Sequence, residues 1–127
     1  MIHHTAHVNG IKIHYVESGE GSPLVLLHGF PETWYCWRHQ IPVLAEKFRV
    51  IAPDLRGYGG TEKPASGYDK RTMANDIRAL LRYLGIEKGS MIGHDRAARV
   101  GTFTELGVEI SSAFFPATIV LVITWFT

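Results

Sequence analysis

Apolar and polar positions alternate from His3 to Val8 and again from Ile11 to Glu17, with Asn9-Gly10 between them. Alternation of period two marks strands with one buried face. Asn-Gly supplies the positive φ values of a two-residue turn, so the pair predicts a β-hairpin. Leu24 to Leu27 is continuously apolar and ends in His28-Gly29-Phe30-Pro31, the pattern of a strand buried on both faces and closed by a loop. From Trp34 to Lys47 the apolar positions Trp34, Trp37, Ile41, Leu44, Ala45 and Phe48 recur at helical spacing, and Pro42 must bend or restart that helix. Val50 to Ala52 predicts a second buried strand, and Pro53 to Tyr68, rich in Gly and Pro, predicts a loop. Met73, Ile77, Leu80, Leu81 and Leu84 form one stripe across Thr72 to Leu84, a helix stopped by Gly85. Ser90 to Ile92 predicts a third short strand, followed by Gly93-His94-Asp95-Arg96-Ala97 and a run of good helix formers.

The order hairpin, strand, helix, strand, helix, strand, helix predicts an α/β domain with a largely parallel sheet. In such sheets ligands bind beyond the carboxyl ends of the strands, where His28 to Pro31, Asp54 and Asp95 all fall. The pattern changes after Glu109. Residues Ile110 to Thr127 carry no charge, and Ala113 to Thr127 is nearly all apolar, interrupted by Pro116 and shorter than a membrane span requires. A buried strand is the first reading of this stretch, and a short membrane-associating tail is the alternative.

The chain has 127 residues with a formal net charge of +1, which suits a single globular domain and offers no basic surface for nucleic acid. The lone Cys36 allows no internal disulfide, and the N-terminus lacks the basic and apolar regions of a leader, so a reducing cytoplasm is the expected location. No phosphate-binding glycine loop or dinucleotide fingerprint is present, and no cofactor is expected. His3, His4 and His7 lack a carboxylate or Cys companion on an exposed strand, so no metal site is expected of them. Trp34, Tyr35 and Trp37 read as core and pocket lining, and Cys36 as a small buried apolar group.

Gly93-His94-Asp95-Arg96-Ala97 has the small-x-nucleophile-x-small form of a nucleophile elbow, with Asp95 at the centre. Taken alone, it is equally an ordinary strand-to-helix turn with Asp95 as N-cap. A carboxylate attacks amides poorly, but it can displace halide or open an epoxide at a saturated carbon to give an alkyl ester. Arg96 and Arg99 lie three apart at the start of the following helix, where two guanidinium forks could hold one carboxylate. Arg99 could instead pair with a surface carboxylate. His94 should aim away from Asp95, because neighbouring strand residues face opposite sides.

His28-Gly29-Phe30-Pro31, Asp54-Leu55-Arg56-Gly57-Tyr58-Gly59 and Gly93-His94-Asp95 together resemble an α/β-hydrolase of the branch containing epoxide hydrolases and haloacetate dehalogenases. Phe30-Pro31-Glu32, Trp37-Arg38 and Gln40-Ile41-Pro42 add to a resemblance that runs from about residue 10 to 100. It implies a partial α/β-hydrolase core, a nucleophilic Asp95 and oxyanion donors at the backbone N–H groups of Phe30 and Arg96. It further implies that His28, with Gly29, Pro31, Gly93 and His94, shapes the site without transferring protons. The substrate implied is a small haloacid or epoxide. The Asp95-Arg96-Ala97-Ala98-Arg99 run is similar to the carboxylate clamp of haloacetate dehalogenases. Asp54 and Arg56 read as a buried Asp–Arg brace.

The family order is nucleophile, acid, histidine, yet no His follows Asp95, and the only later carboxylates are Glu105 and Glu109. Residues 1–100 therefore read as the N-terminal part of the core. Residues 101–127 read as a divergent tail, uncharged from Ile110 onward, either foreign or frame-shifted sequence or a truncated product. The alternative to an enzyme is a non-catalytic fragment that retains some anion binding.

Overall fold

A computed structural model of the chain describes residues 1–94, 107–115 and 118–126, with side chains through residue 93. Strands β1 (Ile2–Val8) and β2 (Ile11–Ser18) pair antiparallel, Val8 facing Ile11, across a turn in which Asn9 and Gly10 take φ of 50° and 76°. Both values lie in the left-handed region that Asn and Gly tolerate best, which is why this dipeptide turns the chain. β3 (Ser22–Leu27), β4 (Phe48–Pro53) and β5 (Gly89–His94) supply the parallel part of the sheet, β3 lying between the other two.

The full order is β1-β2-β4-β3-β5-β7-β6, where β6 is Gly107–Phe115 and β7 is Thr118–Phe126. β2 joins β4 antiparallel, and β7 joins β5 antiparallel, so the sheet is mixed around its parallel centre. The uncharged stretch that the sequence offered as one strand thus forms two, paired with each other antiparallel from Gly107 to Phe126. The expected helix after β5 lies outside the described residues.

β3 shows why its run is apolar throughout. Val25 and Leu27 face one core with Ile13, Ile51, Ile77, Leu80 and Met91. Leu24 and Leu26 face the other with Val16, Ile41, Val50 and Ala52. Alternate side chains of a strand leave on opposite faces, so a strand covered on both faces needs apolar residues at every position.

The predicted helix at Trp34–Lys47 is split into a 3₁₀ turn at Trp34–Trp37 and α1 (Gln40–Leu44). Pro42 falls within the first turn of α1, where its missing N–H costs no helical bond, so the proline restarts the helix rather than bending it. α2 (Lys70–Tyr83) begins two residues earlier than its apolar stripe, because the Asp69 side chain caps it by accepting from the Thr72 N–H at 3.0 Å.

Candidate active site

The carboxyl ends of β3, β4 and β5 lie side by side. Leu27 pairs with Gly93, so the loop starting at His28 and the segment continuing from His94 leave the sheet at one level. β4 ends at Pro53 on the other side of β3, bringing Asp54 and Leu55 against His28.

His28 is fully buried. Its Nδ1–H donates to the Gly29 carbonyl at 2.9 Å, and its Nε2 accepts the Leu55 N–H at 2.9 Å. Both ring nitrogens are thus bound to backbone, an arrangement that requires the neutral ring. Burial pushes its pKa below the ordinary histidine value, against the opposing pull of the Gly29 carbonyl and the charges of Asp54 and Glu32. The Gly29 carbonyl also accepts the Glu32 N–H at 3.0 Å, which closes the loop on itself. Phe30 and Pro31 are joined by a cis peptide, and the Phe30 side chain is 55% exposed, edge-on to Tyr58 at 6.3 Å between centroids.

Asp54 and Arg56 are both buried braces, but not to each other as the sequence suggested. Asp54 Oδ1 accepts the Trp34 N–H at 2.8 Å, and Oδ2 accepts the Gly60 N–H at 2.9 Å. Oδ2 also lies 2.8 Å from His14 Nδ1, and His14 Nε2 lies 2.9 Å from His3 Nδ1. A Cβ on Gly59, at φ +51°, would collide with the Asp54 carboxylate, so glycine is required there. Arg56 instead forks onto Asp76 of α2, with Nε to Oδ2 and Nη2 to Oδ1 both at 2.8 Å. Asp76 also accepts Asn9 Nδ2 at 2.8 Å, tying the hairpin turn to the helix. Sequence reasoning passed over Asp76, although its position three after Met73 and four before Leu80 places a carboxylate on the buried face, where it needs a cation.

A cavity of about 80 Å³ opens beside the His28 loop, lined by His28, Gly29, Phe30, Tyr58, Lys70 and Met73, with Leu55 and Tyr68 completing its wall. Tyr58, Tyr68 and Lys70 were not anticipated as lining. The first two were hidden in a loop whose Gly and Pro content carries no periodicity, and Lys70 precedes the apolar stripe of its helix. The aromatic run at 34–37 does not line this cavity. Trp34 and Trp37 pack on the second core, while Tyr35 is 56% exposed, with Arg38 4.5 Å over its ring. Cys36 is half-buried rather than fully buried, and burial together with the Glu32 carboxylate pushes its thiol up to about 12. Among the described residues no three His, Cys, Asp or Glu side chains gather as metal ligands, and no helix is long and apolar enough to cross a membrane.

The structure thus brings together His28, Gly29, Phe30, Pro31 and Gly93, and carries the backbone of His94 to the same edge. Asp95, Arg96 and Arg99 lie outside the described residues.

A parallel strand centre with its loops converging at the carboxyl ends is the site-bearing arrangement of an open α/β sheet. The chain belongs to the alpha/beta hydrolase fold family, whose model matches residues 22–104. It is 57% identical over 103 residues to a soluble epoxide hydrolase of Corynebacterium sp. (strain C12), covering 81% of this chain and 36% of that protein. It is 43% identical over 99 residues to a fluoroacetate dehalogenase of Burkholderia sp., covering 74% and 33%. Among solved structures it superposes on the epoxide hydrolase CorEH without ligand with a TM-score of 0.80 at 56% identity, covering 81% of this chain and 36% of that one. These relatives place it in the epoxide hydrolase and dehalogenase branch. The chain spans about a third of the length of the curated relatives it matches.

Proposed function

We propose that this chain is the nucleophile-bearing part of a hydrolase acting at saturated carbon, with Asp95 as the nucleophile. The observation that supports the reading is the Leu27–Gly93 register, which starts the His28 loop and the segment leading to Asp95 at the same sheet edge. A carboxylate oxygen of Asp95 attacks the carbon, the carbon–halogen bond breaks, and halide leaves with its electron pair, giving an alkyl ester. The backbone N–H groups of Phe30 and Arg96 serve as oxyanion donors when that ester is hydrolysed. Arg96 and Arg99 bind the carboxylate of a haloacid. Epoxide opening is the second reading, favoured by the 57% identity to a soluble epoxide hydrolase. It differs in needing a proton for the alkoxide that forms.

Incubation with chloroacetate or with styrene oxide, followed by intact-mass and peptide mass spectrometry, tests both. One carboxymethyl ester on Asp95, absent in Asp95→Asn, supports the haloacid reading, and one hydroxyphenethyl ester supports the epoxide reading. An unmodified Asp95 with both reagents overturns the proposal in favour of a non-catalytic chain.

A further inference from the structure

The cavity beside the His28 loop contains one charged lining side chain, Lys70. It is half-buried and makes no hydrogen bond or ion pair among the described residues. Its neighbour Asp69 is committed elsewhere, accepting from the Thr72 N–H at 3.0 Å and from Thr72 Oγ1 at 2.8 Å. Asp54 and Asp76 are occupied by His14, Trp34 and Gly60, and by Arg56 and Asn9. Lys70 also sits in the first turn of α2, the positive end of the helix dipole, where a cation is unfavourable. Both conditions, a cation without a counter-ion and a dipole of the same sign, favour an anion.

The remaining walls set what that anion carries. Phe30, Tyr58, Leu55 and Met73 are apolar or aromatic, and Tyr68 turns its hydroxyl away to donate to the Pro64 carbonyl at 2.6 Å. A single water needs roughly 10–15 Å³ of such space, so the cavity of about 80 Å³ has room for a small organic ion.

We propose that this cavity binds a small monocarboxylate with a short apolar body, its carboxylate on the Lys70 ammonium and its body against Phe30, Tyr58 and Met73. This site is separate from the carboxylate contacts assigned above to Arg96 and Arg99, and its occupancy is read as binding, without turnover.

Propionate titrated into the 127-residue chain and followed by ¹H–¹⁵N correlation NMR tests it, with propionamide as the neutral control. Saturable shifts at Gly29, Phe30, Tyr58 and Met73 with propionate but not propionamide are expected. Lys70→Met should weaken binding at least tenfold and Lys70→Arg should keep it, with circular dichroism confirming that both fold. The readout is binding and not ester formation, so failure of the Asp95 reading leaves this result standing. No saturable shift, equal shifts from propionamide, undiminished binding in Lys70→Met, or loss in Arg96→Gln or Arg99→Gln alone each overturns it.

Discussion

His28 and Leu55 are joined by a hydrogen bond of 2.9 Å from the Leu55 N–H to the imidazole Nε2, which fixes the loop after β3 to the loop after β4. The other ring nitrogen holds the Gly29 carbonyl, so the ring acts as a strut between two backbone segments. His28→Ala leaves the Leu55 N–H buried without a partner and is expected to cost about 1–3 kcal/mol in urea unfolding. The folded pKa is lowered by burial, so the unfolded chain binds more protons between the two values. The His28 contribution is therefore complete above the unfolded value, near pH 6.5, and declines as the pH falls below it toward the lower folded value. Parent and variant stability measured from pH 8 to 5 should converge at the acid end. A constant gap would show that the ring is not held neutral.

Asp76 is the only carboxylate paired with Arg56 among the described residues, and the pair is nearly inaccessible to water. Asp76→Ala strands a buried guanidinium, for which about 3–5 kcal/mol of destabilisation is expected. It also frees Asn9 and with it the hairpin turn. Denaturant midpoints give the magnitude, and a loss below about 1 kcal/mol would mean that Arg56 finds another partner through its bond to the Ser66 carbonyl.

The hairpin, the three central strands and α2 were legible because each rests on local periodicity and a local stop: Asn9-Gly10, the apolar run at Leu24–Leu27, the stripe from Met73 to Leu84. What the sequence hid was pairing across distance. Arg56 could be seen to need an acid, but Asp54 two residues away was the obvious partner. Only the packing of α2 against the hairpin shows that Asp76 is nearer. Likewise Pro42 announced a break without saying that the helix would begin just before it. The strand ends that frame the site were read from alternation. The cavity, with Tyr58, Tyr68 and Lys70 drawn from an aperiodic loop and a helix start, needed coordinates.

Arg99→Ala is expected to slow ester formation from chloroacetate about 10- to 100-fold, the worth of one charge-assisted hydrogen bond, and to leave reaction with styrene oxide nearly unchanged. Rates of mass gain at Asp95 measure both. Equal losses with the two reagents would assign Arg99 a supporting role that does not discriminate between the substrates.

Cys36 should be unreactive. With its thiol pushed up to about 12, the thiolate fraction at pH 8 is about a thousandfold below that of an ordinary cysteine. Iodoacetamide is expected to modify it at least about a hundredfold more slowly than glutathione. Glu32→Gln should accelerate the reaction by removing the neighbouring negative charge. Reaction at the glutathione rate would show the thiol to be open to solvent, and would require peptide mapping to separate thioether from ester in the Asp95 experiments.

A polypeptide of these 127 residues is expected to stop after one alkylation. Displacement of halide needs only a positioned carboxylate and a leaving group. Hydrolysis of the resulting ester needs a base to take a proton from water, a contribution of about 10²- to 10⁴-fold. The chain has seven histidines, none after His94. His28 has both nitrogens bound to backbone, and leaving that position would break the loop that carries Phe30. His14 is held between Asp54 and His3. His4 and His7 belong to the edge hairpin, and His39 precedes α1, whose Ile41 packs on the second core. His94, adjacent to Asp95, is expected from strand alternation to leave on the opposite face. Chloroacetate should therefore yield a stable ester on Asp95 and about one equivalent of chloride, whereas a longer polypeptide supplying an acid and a histidine beyond residue 100 should release glycolate continuously. Sustained release of glycolate and chloride by the 127-residue chain, abolished in Asp95→Asn, would show that one of these seven rings reaches the ester after all.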